Sequence, residues 1–146
     1  MGKAMALHGV SIGVASMQSG VRVPTIRYYE QIGLLPKLVR TKNNRRLYSS
    51  ADLHRLIFIR RARELGFHIE AIRALLTLQD NPDQSCRAAD TIARARLAEI
   101  KQRIDSLSAL KVELERMVAA CSLGRIADCR VIAALAAEVD GLAGHR

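Results

Sequence analysis

The chain has no tryptophan, and only three tyrosines and two phenylalanines among its 146 residues. Its apolar content is nevertheless 49%, supplied mainly by Leu, Ile, Ala and Val. That mixture favours helices and excludes a disordered tail. No apolar run approaches the 18 or so residues of a membrane span. The first 20 residues hold a single Lys and an apolar stretch interrupted by His8, Gly9, Ser11 and Gly13, a poor signal peptide. A soluble, cytoplasmic protein with no membrane partner is expected. There is no Gly-rich phosphate loop, no Ser/His/Asp set and no pair of catalytic carboxylates, so no enzyme is expected.

Acid is scarce in the front of the chain. Residues 1–80 carry 13 Lys and Arg against 5 Asp and Glu, a net +8, whereas residues 81–146 carry 10 against 9, a net +1. A basic front half suits a polyanion. Nucleic acid is favoured over a membrane surface because no basic helix with a bulky apolar face opens the chain.

Along this front half, residues 11–19 read as a short helix closed by Gly20, with Ile12, Val14, Ala15 and Met17 available to a core. Pro24 suits the start of a second helix that ends at Gly33. Two short helices across a tight turn make a helix-turn-helix, and the second would present Arg22, Thr25, Arg27 and Tyr28 to a DNA groove. Of Tyr28 and Tyr29, one is expected to pack inward and Tyr28 to face outward. Residues 39–48 read as a hairpin or wing, with Asn43 and Asn44 at its turn. Its cations, Arg45 and Arg46 among them, are placed for phosphates. Ser49 or Ser50 then caps a helix to about Leu65, with Asp52 in its first turn. This helix carries Leu53, Leu56, Ile57, Ile59 and Ala62 on one face, and Arg60 as a further candidate for DNA contact. A helix over about 69–78 completes a second pair.

From about Pro82 to Ala120 the pattern is one long helix. Leu97, Ile100, Ile104, Leu107, Lys111, Leu114, Val118 and Cys121 follow alternating steps of three and four, a coiled-coil seam that needs a partner. Cys86 and Cys121 stand 35 residues, or five heptads, apart, which a straight helix stretches to roughly 50 Å at 1.5 Å per residue. They cannot meet within one chain. In an antiparallel pair, Cys86 of one chain falls beside Cys121 of the other, and Cys129 is close enough to fold back. A last short helix is expected over 131–139. Without an export signal the three cysteines read as free thiols, metal ligands or inert small hydrophobes.

Thr25-Ile26-Arg27-Tyr28-Tyr29-Glu30 with Gly33-Leu34-Leu35-Pro36 resembles the recognition-helix signature of the MerR family of transcriptional regulators. Arg46-Leu47-Tyr48 matches the end of that family's wing, and Phe58-Ile59-Arg60 with Leu65-Gly66-Phe67 its second helix pair. The resemblance runs from about Ile12 to Ile132. It implies a mainly α fold with three parts: a winged helix-turn-helix DNA-binding domain over 1–80, an antiparallel coiled-coil dimerisation helix over 81–120, and a metal-binding loop with a short helix over 121–146. It also implies a homodimer on promoter DNA, with RNA polymerase as a further partner and effector binding distorting the DNA. The wing turn departs from the family, with Asn43 and Asn44 where Gly is usual; Asn tolerates positive φ well.

Cys86, Cys121 and Cys129 match the three cysteine positions of the family's metal-sensing branch. A thiol at the Cys86 position marks sensors of soft divalent ions, here zinc, cadmium, lead or mercury. Copper(I), which two thiolates satisfy, is the runner-up. A thiol-redox regulator and an effector-free architectural DNA-binding protein are the remaining alternatives.

Overall fold

A computed structural model of the chain describes residues 9–36, 39–40, 46–121 and 123–137. Its order is α1 (Ile12–Ser19), α2 (Val23–Gln31), β1 (Val39–Arg40), β2 (Arg46–Leu47), α3 (Ser50–Glu64), α4 (Ile69–Gln79), α5 (Arg87–Ala120), a 3-10 turn (Ile126–Asp128) and α6 (Arg130–Ala136). Contacts divide the chain into two units, Met1–Arg96 and Leu97–Arg146.

Local chemistry sets the element ends in the first unit. The Ser11 hydroxyl accepts the Val14 N–H at 3.3 Å and starts α1. Gly20, at φ 77°, ends it in the left-handed region, where a side chain would be costly. Pro24 occupies the first turn of α2, where its missing N–H is no loss. At α3 the predicted cap is a full reciprocal box. Ser49 Oγ accepts the Asp52 N–H at 3.2 Å, and the Asp52 carboxylate accepts the Ser49 N–H at 2.8 Å.

β1 and β2 pair antiparallel with Val39 opposite Leu47 and Arg40 opposite Arg46. The expected turn at Asn43 and Asn44 lies outside the described residues. Val10 and Tyr48 exchange backbone hydrogen bonds, both at 2.9 Å, so the segment before α1 joins the base of the wing.

Ala15, Ile26, Leu56, Ile59 and Ile72 are fully buried, drawing α1, α2, α3 and α4 around one core. Two expectations fail here. Val14 and Met17 face outward, Met17 with 85% of its surface exposed, because an eight-residue helix offers the core only one narrow face. The long helix also begins at Arg87 rather than near Pro82. Gln84 N–H donates to Asn81 O at 3.1 Å and Arg87 N–H to Ser85 Oγ at 3.2 Å. These local bonds satisfy the backbone in turns and delay the helix. Cys86 therefore precedes the helix instead of lying on its stripe.

α5 is unbroken for 34 residues and has no buried residue within the single chain. Its seam positions Leu97, Ile104, Leu107, Leu114 and Val118 are all about half exposed or more.

Candidate nucleic-acid interface and thiol centre

α2 is fixed from beneath and free above. Ile26 is fully buried and Tyr29 nearly so, while Tyr28 keeps 48% of its surface. The two rings are tilted, 6.0 Å between centroids. Burial raises the Tyr29 phenol above its usual pKa, with Arg63 opposing and Tyr28 adding to the rise. Arg22 and Arg27 are exposed and Thr25 half-buried, and the N-terminal amides of α2 have no side-chain cap.

Arg46 is half exposed and ion-paired to Glu30, in the last turn of α2. The other Glu30 oxygen accepts the Tyr48 hydroxyl. Burial raises the Tyr48 phenol, opposed by Arg46 and then Arg27. Arg45 lies outside the described residues. Arg60 lies across the C-terminus of α1: a Cβ at Gly20 would stand 2.9 Å from Arg60 Nη1. Its Nε is buried with no hydrogen-bond partner, and it pairs with Glu64 at 4.0 Å. The cation thus sits beside the turn between α1 and α2.

Three further residues position these elements and carried no signal in the sequence beyond their charge. Arg55 Nε donates to Leu34 O at 2.7 Å while its Nη1 pairs with Asp80 at 3.2 Å, tying the end of α2 to the end of α4. Arg63 Nη1 donates to Phe67 O at 2.9 Å. Arg96, near the start of α5, donates to Leu65 O at 2.9 Å.

The thiols fall in two places. Cys86 is exposed and edges an apolar recess of about 310 Å³ lined by Phe58, Leu75, Leu78, Pro82 and Ala89. Cys121 directly follows α5, and its N–H donates to Val118 O at 3.1 Å. Cys129 directly precedes α6. Leu123 between them adopts φ 59°, a left-handed turn before Gly124. Cys121 and Cys129 stand close enough for the Cys121 thiol to act on the Cys129 sulfur. The Cys129 thiol is held below its usual pKa, chiefly by the Ile132 backbone N–H; partial burial opposes this, and Val131 N–H and the Cys121 thiol reinforce it. Asp128 of this loop is exposed and pairs with Arg125 at 3.6 Å. Among the described residues no group of three or more His, Cys, Asp or Glu side chains stands together. The chain by itself thus assembles two soft donors.

Two family descriptions match: "MerR HTH family regulatory protein" over residues 10–79 and "MerR, DNA binding" over residues 53–117. The transcriptional regulator HmrR of Rhizobium leguminosarum bv. viciae is 40% identical over 84% of this chain and 95% of its own length. Among solved structures, the regulator PbrR691 of Ralstonia metallidurans CH34 in complex with lead(II) superposes with a TM-score of 0.75. Its identity is 34%, over 87% of this chain and 99% of that one. The regulator MerR of Bacillus megaterium MB1, in complex with a mercury(II) ion, superposes with a TM-score of 0.61 at 30% identity, over 83% of this chain and 94% of that one.

Proposed function

The chain belongs to the MerR family of helix-turn-helix transcriptional regulators, and from that premise we propose that it is a homodimeric regulator that binds promoter DNA and activates transcription on binding a soft divalent metal ion: zinc, cadmium, lead or mercury. It is a DNA-binding regulator, not an enzyme. Arg22, Thr25, Arg27 and Tyr28 on α2, Arg45 and Arg46 on the wing, and Arg60 beside the helix-turn-helix turn make the DNA contacts. RNA polymerase is the downstream partner.

The observation that carries the metal reading is the convergence of Cys121 and Cys129, with a sulfur already biased toward thiolate. Thiolates are the ligands soft ions select. The donor set fits such an ion once a third sulfur is added, and the exposed Cys86 of a second copy supplies it in an antiparallel dimer. The ion would contribute only a cross-link among the three thiolates there. The chain's own residues do the rest: Cys121 and Cys129 draw their loop together, and Cys86 anchors it at the start of the other copy's α5. The Arg96–Leu65 contact then joins α5 to the DNA-binding head, so that a shift in α5 re-aims α2. The lead and mercury complexes of the two similar regulators support the divalent reading. That only two thiols meet within one chain favours copper(I) as the second reading, since two thiolates complete a linear site.

Run-off transcription from a cognate promoter, with each metal added in turn, tests this. Cys86→Ser is expected to abolish the response to cadmium, lead and mercury while leaving DNA affinity unchanged. A full divalent response in this variant would sink the assignment. Activation by copper(I) alone, indifferent to Cys86, would establish the runner-up.

A further inference from the structure

We infer that Glu30 is a positioning residue for DNA binding, holding the wing strand against the recognition helix through Arg46 and Tyr48. The inference rests on the reading of α2 and the wing as the DNA-contacting surface.

An acid is out of place at the end of a helix that faces a polyanion, because each carboxylate there repels phosphates. Glu30 is not a loose surface acid: its side chain is only 10% exposed. Both of its oxygens are engaged, one accepting the Tyr48 hydroxyl and the other pairing with Arg46. Tyr48 is 1% exposed, so without Glu30 its hydroxyl would be cut off from water and left without this acceptor.

The wing needs such a hold. β1 and β2 are two residues each, far too short to fix their own orientation. Among the described residues their register pairs only Val39 with Leu47 and Arg40 with Arg46. The Glu30 carboxylate holds the Arg46 guanidinium toward α2. The Val10–Tyr48 bridge holds the far side of the same strand end. Arg46 thus reaches phosphate only from where Glu30 places it, and the wing's cations act in register with α2 rather than as a free arm.

The sign of one measurement separates this from the ordinary electrostatic expectation. Removing an acid from a DNA-binding surface normally tightens binding. Binding of the full-length protein to a fluorescein-labelled, mixed-sequence duplex at low salt is expected to weaken about fivefold for Glu30→Gln and about tenfold for Glu30→Ala. The slope of log affinity against log salt should fall by about 0.9 or more in Glu30→Ala, one lost phosphate contact. Adding Arg46→Ala to Glu30→Ala should cost less than about twofold more, since Arg46 is already displaced. A smaller folded fraction scales the apparent affinity without changing the salt slope; if Glu30→Ala fails to fold by circular dichroism, Glu30→Gln decides. Variants that bind as tightly as the natural chain, or more tightly, would overturn the role of Glu30 and leave the DNA-binding reading standing. Failure of the natural chain to bind the duplex at all would remove both.

Discussion

Arg96 Nε donates to the Leu65 carbonyl at 2.9 Å, so a side chain from the first turns of α5 closes the C-terminus of α3. The guanidinium lies over Gly66, which adopts φ 82°. This link ties the first turns of α5 to the end of α3 within the first unit.

Gly66 is the position that permits this link. A Cβ there would collide with the Arg96 guanidinium and would also sit in the left-handed region, which costs an ordinary L-residue about 1–2 kcal/mol. Gly66→Ala should therefore lower stability by at least that amount, seen as a fall in the thermal midpoint. Metal-induced transcription should weaken more than DNA binding does, because the contact between α5 and α3 is what the substitution displaces. Equal loss in both would mean that the link is merely structural.

The α5 stripe yields a second expectation. Leu107 is 59% exposed in the single chain, and a carboxylate buried there without a partner costs several kcal/mol. Leu107→Glu should raise the dimer dissociation constant by about a hundredfold or more, measured by sedimentation at graded concentration. The head should keep its helical signal. A dimer of undiminished strength would show that this stripe is not the seam.

The Cys129 thiol gives a pH dependence of definite sign. Its folded-state pKa is lowered, first by the Ile132 N–H, so the thiolate persists to lower pH than in the unfolded chain. The stabilisation is present above the unfolded thiol's pKa and is lost as pH falls through the folded value. Alkylation of Cys129 by iodoacetamide, followed by peptide mass spectrometry, should therefore reach half its maximal rate below the ordinary thiol range. In denaturant the half-point should return to that range. An unchanged midpoint on unfolding would remove the role given to the α6 amides.

Much of this arrangement was readable from local chemistry. Gly20 and Gly33 end helices where the sequence placed them. Ser49 and Asp52 form the expected cap, and Tyr29 points inward while Tyr28 points outward. These features depend on neighbours within a few residues. What the sequence hid depends on distance along the chain. Glu30 meets Tyr48 across 18 residues and Arg96 meets Leu65 across 31, and no periodicity announces either. The start of α5 was misplaced for a different reason. Helical spacing alone cannot reveal that Asn81 and Ser85 satisfy backbone groups in turns instead.

Every fully buried apolar side chain among the described residues lies between Ala15 and Leu76. A solitary copy thus owns an interior beneath its DNA-binding surface, whereas its long arm has none within one chain. On the proposed dimeric reading, abundance in the cell becomes an input of its own: by mass action, too few copies would leave heads able to touch phosphates but no assembled pocket with which to hear the signal.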